Sequence, residues 1–148
     1  MIPLIVLIVS MAVFWLAGRA GVTVFHDPSF VLRAALAVMF LLTASAHWGK
    51  RRADLIRMVP PVLPRPDWLV TITGVLEILG AIGLLVPRTG RAACVGLFVL
   101  LIFLFPANMR GGREHLTIAG RPVPGLPVRA VIQLVFQAAL GTAAWIRS

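Results

Sequence analysis

The sequence predicts an all-α fold, a polytopic bundle of membrane-spanning helices, from its composition and from the spacing of its charges. Of the 148 residues 59% are hydrophobic and 13% are charged, and the mean hydropathy is +0.96, whereas soluble domains average roughly 45–50% apolar and about 25% charged residues. Charge is absent from four stretches of 16 to 18 residues, and a fifth stretch of 20 residues contains Glu77 alone: 1–18, 34–49, 92–109, 130–146 and 68–87. Each stretch approaches the ~20 residues that a helix needs to span the hydrocarbon core.

The net charge of +9 rests mainly on 13 arginines, most of which flank the apolar stretches. Basic residues at such positions face anionic headgroups and set the topology of a membrane protein, so membrane lipids are an expected partner and nucleic acid is not. The sequence has neither a P-loop nor a Rossmann fingerprint, and we expect no cofactor. A single cysteine, Cys94, and three scattered histidines predict no dithiol redox centre and no metal site.

The first two helices are predicted at residues 2–18 and 30–47. The first stretch lacks a positive N-terminal region and its apolar run is long, which favours an uncleaved span over the alternative, a cleaved signal peptide. Before the second helix, Asp27 is placed to cap the helix and Pro28 to occupy its first position.

The segment 48–67 divides into two halves. Its first half predicts a short interfacial helix that dips Leu55, Ile56 and Val59 into lipid. Its second half has four prolines within seven residues and predicts an extended, stiff chain. Asp67 is expected to cap the third helix, at residues 68–86.

The remaining helices are predicted at residues 92–107 and 128–146, so that one transmembrane domain covers residues 1–148. A tight turn at 87–91 makes the third and fourth helices antiparallel neighbours. The fourth helix is expected to stop near Pro106, with Asn108 capping the carbonyls left free at its end. A loop rich in glycine and proline, 110–127, then leads to the fifth helix.

The distribution of basic residues predicts the orientation. Nine of the lysines and arginines lie on the side that holds the loops 48–67 and 110–127, and five lie on the opposite side. The excess of positive charge predicts that both loops are cytoplasmic in a multi-pass protein of the cell's inner (plasma) membrane.

Polar residues within the spans are the candidate ligand-binding residues. Counted at ~1.5 Å per residue from the cytoplasmic boundary, they lie from roughly 3 Å to roughly 13 Å deep. Spacing of i, i+4 puts several of them on shared helix faces. This arrangement predicts a polar funnel that opens to the cytoplasm and closes at Glu77. In order of depth the residues are His47 and Asn108, then Thr73, Gln133 and Thr43, then Glu77 and Gln137, with Arg129 at the mouth.

Glu77 is the most informative of these residues. An ionised carboxylate at mid-bilayer costs ~2.5–3.5 kcal/mol on insertion scales, so Glu77 is expected to face the interior and to be paired or protonated. His47, ~10 Å shallower, and Arg33, ~10 Å further toward the outer face, are both candidate partners. A carboxylate in this position indicates ligand binding or proton handling, or else an ion pair that only packs helices.

Several motifs of the chain resemble the core pattern of the DoxX-like family of small bacterial membrane proteins. The resemblance covers residues 30–146 and implies a four-helix bundle to which the first helix is an addition. The motifs are Leu32-Arg-Ala-Ala-Leu-Ala37, Ala46-His-Trp48, Met58-Val-Pro-Pro-Val-Leu-Pro64, Thr73-Gly-Val-Leu-Glu-Ile-Leu-Gly80, Phe105-Pro-Ala-Asn108 and Val128-Arg-Ala-Val-Ile-Gln133. Matched residue by residue, the family's polar pattern falls on Arg33, His47, Glu77, Asn108, Arg129 and Gln133.

Families similar to this one include membrane subunits of thiosulfate:quinone oxidoreduction, methylamine-dehydrogenase maturation and oxidative-stress complexes. The polar funnel and the absence of a cofactor motif favour a non-catalytic membrane component that binds an apolar small molecule, quinone or lipid, and supports an oxidoreductase partner in a redox or stress and detoxification system. Two alternatives stay open: an intramembrane isomerase or proton-transfer enzyme that uses Glu77 as acid/base and His47 as relay, and a non-catalytic scaffold. Assembly into a homo-oligomer is also left open.

Overall fold

The computed structural model describes residues 1–114, 117–118, 120–122 and 124–145, the last two residues of the 120–122 stretch without their side chains. Six α-helices lie in that part of the chain: α1 Ile2–Arg19, α2 Pro28–Ser45, α3 Arg52–Met58, α4 Pro66–Leu85, α5 Gly90–Arg113 and α6 Leu126–Trp145. Short 3-10 turns at Thr23–Phe25 and Gly49–Arg51 precede α2 and α3.

Five of these helices, all except α3, are long and apolar enough to cross a membrane, which confirms the predicted all-α fold with five candidate membrane spans. Helix α2 packs against α4 and α6, and α5 packs against the same two helices. These four therefore form a closed bundle, and α1 lies outside it against α2. The bounds of the spans agree with the predicted ones to within about two residues, except at the end of α5; residue 146 of the last predicted helix lies outside the described residues.

Helix α2 is the most buried of the five spans because three other spans surround it. Small alanines let those neighbours approach its backbone, as is common in membrane bundles. Large side chains such as Leu36, Met39 and Phe40 fill the remaining space and are at most 1% exposed. The outer faces of the other spans leave many apolar side chains exposed, as expected of surfaces that lie against lipid.

The start of α2 follows the predicted chemistry. Asp27 caps the helix by accepting hydrogen bonds from the backbone N–H of Ser29 at 2.9 Å and from its hydroxyl at 2.6 Å, and Pro28 occupies the first turn. Burial raises the pKa of the Asp27 carboxyl, but the bonds from Ser29 and the charge of Arg33 outweigh burial, so the pKa is lowered from its usual value.

The predicted cap of α4 is wrong. The helix begins at Pro66, Arg65 holds the capping position with a left-handed φ of 50°, and no side chain caps the helix. Proline fits the first helical position because it has no N–H to satisfy there, so Asp67 lies two residues past the capping position. The Asp67 backbone carbonyl instead accepts a hydrogen bond from Arg52 at 2.9 Å.

The prediction for the segment 48–67 is confirmed in its first half and wrong in its second half. Its first half does form a short helix, α3, in which Leu55 and Ile56 are half-buried. Its second half is not extended, because the N–H of Leu63 bonds to the carbonyl of Pro60 at 3.0 Å and closes a turn. Pro61 stands at the second position of that turn, where the fixed φ of proline is favoured.

Two contacts hold α3 across the end of the bundle at which α2 and α5 finish. Arg110 of α5 donates a hydrogen bond to the carbonyl of Val59. Met58 is buried against Gly111, where a methyl group would lie 2.6 Å from the end of the Met58 side chain. Arg52 fixes the start of the segment 48–67. In addition to its hydrogen bond to Asp67, it donates one to the carbonyl of His47 at 3.0 Å.

The prediction that α5 stops near Pro106 is wrong, because the helix continues through the proline to Arg113. Proline inside a helix removes one hydrogen bond, and membrane helices tolerate that loss where neighbours satisfy the freed groups. The predicted loop 110–127 is correspondingly shorter. It also contains an unpredicted antiparallel hairpin, β1 Thr117–Ile118 and β2 Arg121–Pro122, beside Gly120 at φ +72°.

Candidate functional site

Glu77 is paired with His47, which decides between the two partners that the sequence left open. The Nε2 atom of His47 lies 3.6 Å from Oε1 of Glu77, and the hydroxyl of Thr43 donates to Oε2 at 2.7 Å. Glu77 is 4% exposed and His47 is 7% exposed. Together with Thr73, which lies beside the imidazole, these residues form what we call the histidine–glutamate cluster.

The chain reaches this geometry because α2 ends before His47. The helix stops at Ser45, and the N–H of His47 bonds to the carbonyl of Ala44 in a turn. The turn places the imidazole directly over Gly74 of α4, where an added methyl group would lie 2.7 Å from the Cβ and Cγ atoms of His47. Glycine at this position therefore allows the close approach that bridges the difference in height expected from straight helices.

The hydrogen bonds of the cluster fix the orientation of the His47 ring. Nδ1 of His47 lies 2.6 Å from the carbonyl of Val70, which can only accept, so Nδ1 carries a hydrogen. The hydroxyl of Thr73 donates to the carbonyl of Leu69 at 2.8 Å. Nε2 is consequently the ring nitrogen that faces the carboxylate of Glu77, 3.6 Å from Oε1.

His47 lies just beyond the membrane-spanning part of α2, and its pKa is raised from the usual value of 6.5. Burial is the largest influence and lowers the pKa, as does the charge of Arg52. The hydrogen bond and charge of Glu77, together with the carbonyl of Val70, outweigh both and raise it. The imidazole therefore holds its second proton to a higher pH than a free histidine does.

A second set of polar side chains joins α5 to α6, and we call it the amide–arginine cluster. Arg129 donates to Oδ1 of Asn108 at 2.5 Å, and Nδ2 of Asn108 donates to Oε1 of Gln133 at 3.1 Å. Gln133 is 6% exposed and donates in turn to the backbone carbonyl of Leu101 at 2.8 Å. Asn108 thus connects helices instead of capping α5, because the helix continues past it.

A groove of about 210 Å³ lies beside the amide–arginine cluster, on the surface shared by α5 and α6. Its walls are mainly apolar, and Gln133 and Gln137 supply its amide groups. Gln137 is half-buried, and its side-chain amide makes no hydrogen bond with any other residue that the structure describes. Pro106 lacks an N–H, so the carbonyl of Ile102 in the groove wall has lost its usual helical donor.

The predicted site residues fall into separate places. His47, Thr73 and Glu77 meet in one cluster, and Asn108, Arg129 and Gln133 meet in the other, with Gln137 on the groove. Among the described residues no hydrogen bond or ion pair joins the two clusters, so they do not form one connected polar network. Arg33 lies at the opposite end of the bundle, against Gly90, and is not the partner of Glu77.

Sequence reasoning missed some groups that complete the clusters. The carbonyls of Val70 and Leu101 accept the hydrogen bonds that orient His47 and Gln133. Every residue has a backbone carbonyl, so the sequence does not indicate which carbonyls act as these acceptors. Thr43 was visible, since it stands four residues before His47 on the same helix face. Gly74 also left a signal, as a glycine that interrupts an apolar span three residues before Glu77.

No curated protein and no solved structure matches the chain. The sequence profile of a domain of unknown function, DUF8561, matches residues 36–148. The match contains both clusters and the groove, and it leaves out α1 and the first part of α2 with Arg33. Because the matched region is more than half of the sequence, the chain belongs to the DUF8561 family.

Proposed function

We propose that this protein binds an apolar molecule with a polar head, quinone-like or lipid-like, and supports a redox or stress and detoxification system of the membrane. The observation that carries the proposal is the groove between α5 and α6, whose walls are apolar and whose base is a buried, hydrogen-bonded amide cluster. A groove on the outer face of two membrane-spanning helices opens toward hydrocarbon, so its ligand would enter from the bilayer.

The chemistry of the groove suits such a head. The free amide of Gln137 can donate to a carbonyl, and the carbonyl of Ile102 can accept from a hydroxyl, so both the oxidised and the reduced form of a quinone would find a partner. A volume of about 210 Å³ is smaller than a typical pocket for a whole drug-sized ligand. The head would therefore occupy the groove while its apolar tail remains among the lipid chains.

The cellular setting is also part of the proposal. The DoxX-like motifs support a redox role, and the excess of basic residues supports an inner-membrane location with the loops 48–67 and 110–127 in the cytoplasm. An oxidoreductase partner would then meet the protein at the end that carries α3.

Binding can be tested by native mass spectrometry of the protein in neutral detergent, titrated separately with a short-chain benzoquinone and with a diacyl phospholipid. Gln137→Leu removes the free amide and keeps the side chain's bulk, so we expect about tenfold weaker binding of the true ligand class. Val131→Leu is the matched control, because Val131 is 59% exposed on α6 and does not line the groove.

Equal binding by the wild type and the Gln137→Leu variant would contradict the proposed site. Absence of specific binding for both ligand classes, with the protein folded, would favour the scaffold alternative. A ligand found by this route identifies which of the two classes the groove takes.

A second function, intramembrane proton transfer, is favoured by the buried contact between His47 and Glu77. Glu77 would exchange a proton with a carbon of the substrate, and His47 would relay it, as an isomerase requires. The test is incubation of the bound ligand in D₂O, with deuterium incorporation read by mass. Glu77→Gln should abolish incorporation, and incorporation that survives in this variant would contradict the enzyme.

A further inference from the structure

Arg33 is a buried cation without an anion. It is 8% exposed, its Nε atom has no hydrogen-bond partner, and no described carboxylate lies within ion-pair distance. Its closest compensation is the ring of Phe30, whose centroid lies 5.8 Å from the guanidinium carbon. Asp27 acts on Arg33 only through space, because its two oxygens are bonded to Ser29. A buried charge in this state is costly unless something pairs with it.

The guanidinium is directed at the start of α5. A methyl group added to Gly90, the first residue of that helix, would lie 2.3 Å from Nη1 of Arg33. The N-terminus of a helix carries partial positive charge, so a cation placed there is repelled unless an anion lies between them. Gly90 is buried, and its lack of a side chain is what lets the guanidinium come so close.

The first turn of α5 has also been left open. Thr89 stands at the capping position, but its hydroxyl donates to the carbonyl of Gly83 at 3.0 Å and no side chain caps the helix. In the described part of the chain the N–H groups of Arg91 and Ala92 have no acceptor, whereas those of Gly90 and Ala93 do. Two backbone donors are therefore free in the first turn of the helix, whose first residue, Gly90, lies against the guanidinium.

We propose that Arg33 and the first turn of α5 form a binding site for a phosphate-type oxyanion. The planar guanidinium matches two phosphate oxygens, and the free N–H groups at the helix start supply further donors. The site lies at the boundary of the membrane-spanning segment, at the end of the bundle away from His47, and it does not depend on the groove. The phosphate can belong to an anionic lipid headgroup or be free in solution, and both offer the same oxygens.

The test measures binding to the detergent-purified full chain in two arms. In one arm phosphatidylglycerol and phosphatidylcholine are titrated and counted by native mass spectrometry, and in the other inorganic phosphate is compared with chloride at equal ionic strength by thermal unfolding. We expect Arg33→Gln to weaken the binding of whichever phosphate ligand the wild type retains about tenfold. Arg88→Gln removes the same charge from an exposed position of the neighbouring turn and should leave that binding unchanged.

Gly90→Ala makes the test independent of charge and of a failure of Arg33→Gln to fold. The added methyl group displaces the guanidinium while every charge is kept, so binding should fall as it does in Arg33→Gln. Retention of phosphatidylglycerol alone identifies a lipid headgroup, and stabilisation by phosphate in detergent alone identifies the free ion. The proposal is overturned if the wild type prefers neither phosphatidylglycerol over phosphatidylcholine nor phosphate over chloride. It is also overturned if Gly90→Ala binds as tightly as the wild type, or if Arg88→Gln weakens binding as much as Arg33→Gln does.

Discussion

The two ends of α2 carry buried charged groups that the molecule treats in opposite ways. Just beyond its C-terminal end, His47 meets a carboxylate, a backbone carbonyl and a neighbouring hydroxyl, so its ring nitrogens are satisfied within the protein. Near its N-terminal end, Arg33 is equally buried and has no such partner. Burial alone therefore does not distinguish a structural pair from a binding site; the number of unmet hydrogen bonds does.

The largest effect should come from breaking the satisfied end. Glu77→Leu leaves His47 and Thr43 facing an apolar side chain in the interior, and we expect a loss of about 3 kcal/mol in the free energy of unfolding. Reversible unfolding in mixed detergent micelles measures it. Leu79→Ala is the control, since Leu79 is 59% exposed on the same helix. A loss no larger than that of the control would show that the pair contributes little to stability.

The next effect tests the close approach that places the imidazole. Gly74→Ala puts a methyl group 2.7 Å from His47, and we expect a loss of about 2 kcal/mol because the pair with Glu77 must open. Gly96→Ala in α5 meets nothing within 4 Å and should be neutral or stabilising by up to about 1 kcal/mol. If the two substitutions had equal effects, α2 and α4 would be able to move apart at Gly74 without a loss in the free energy of unfolding.

A smaller effect should follow from giving the unsatisfied end what it lacks. Thr89→Asp supplies a carboxylate at the capping position of α5, beside Arg33, and we expect a gain of about 1 kcal/mol in stability. The same substitution should weaken phosphate binding, because the new carboxylate takes the place of the anion. Stability that falls in Thr89→Asp, measured by thermal unfolding, would contradict an unmet need for negative charge there.

The smallest effect concerns pH. Because the pKa of His47 is raised in the folded protein, the pair adds stability that is fully present below 6.5, the ordinary value, and is lost as pH rises through the folded value. The melting temperature of the wild type should fall across that interval, and the fall should be absent in His47→Gln. A wild type whose stability rises instead would mean that burial dominates over the charge of Glu77.

Local sequence patterns predicted the elements of this fold well. Charge-free stretches marked the five spans, Asp27 and Pro28 marked the start of α2, and the polar first half of 48–67 marked α3. These features depend on residues adjacent in the chain. The predictions that failed also concern neighbours in sequence, at Asp67 and at Pro106, where a two-residue offset or a tolerated proline altered the outcome.

The sequence by itself determined that the chain has five helices able to span a membrane, with polar residues, Glu77 above all, inside them, because hydrophobicity and span length can be read from consecutive residues. Only the tertiary structure decided how those residues associate: that His47 and not Arg33 pairs with Glu77, and that Asn108 joins α6 instead of ending α5. The physical reason is that these contacts join residues that are far apart in the sequence. Such contacts depend on turns and close approaches, as at Gly74, and on backbone carbonyls such as that of Val70, which every residue possesses and no pattern marks.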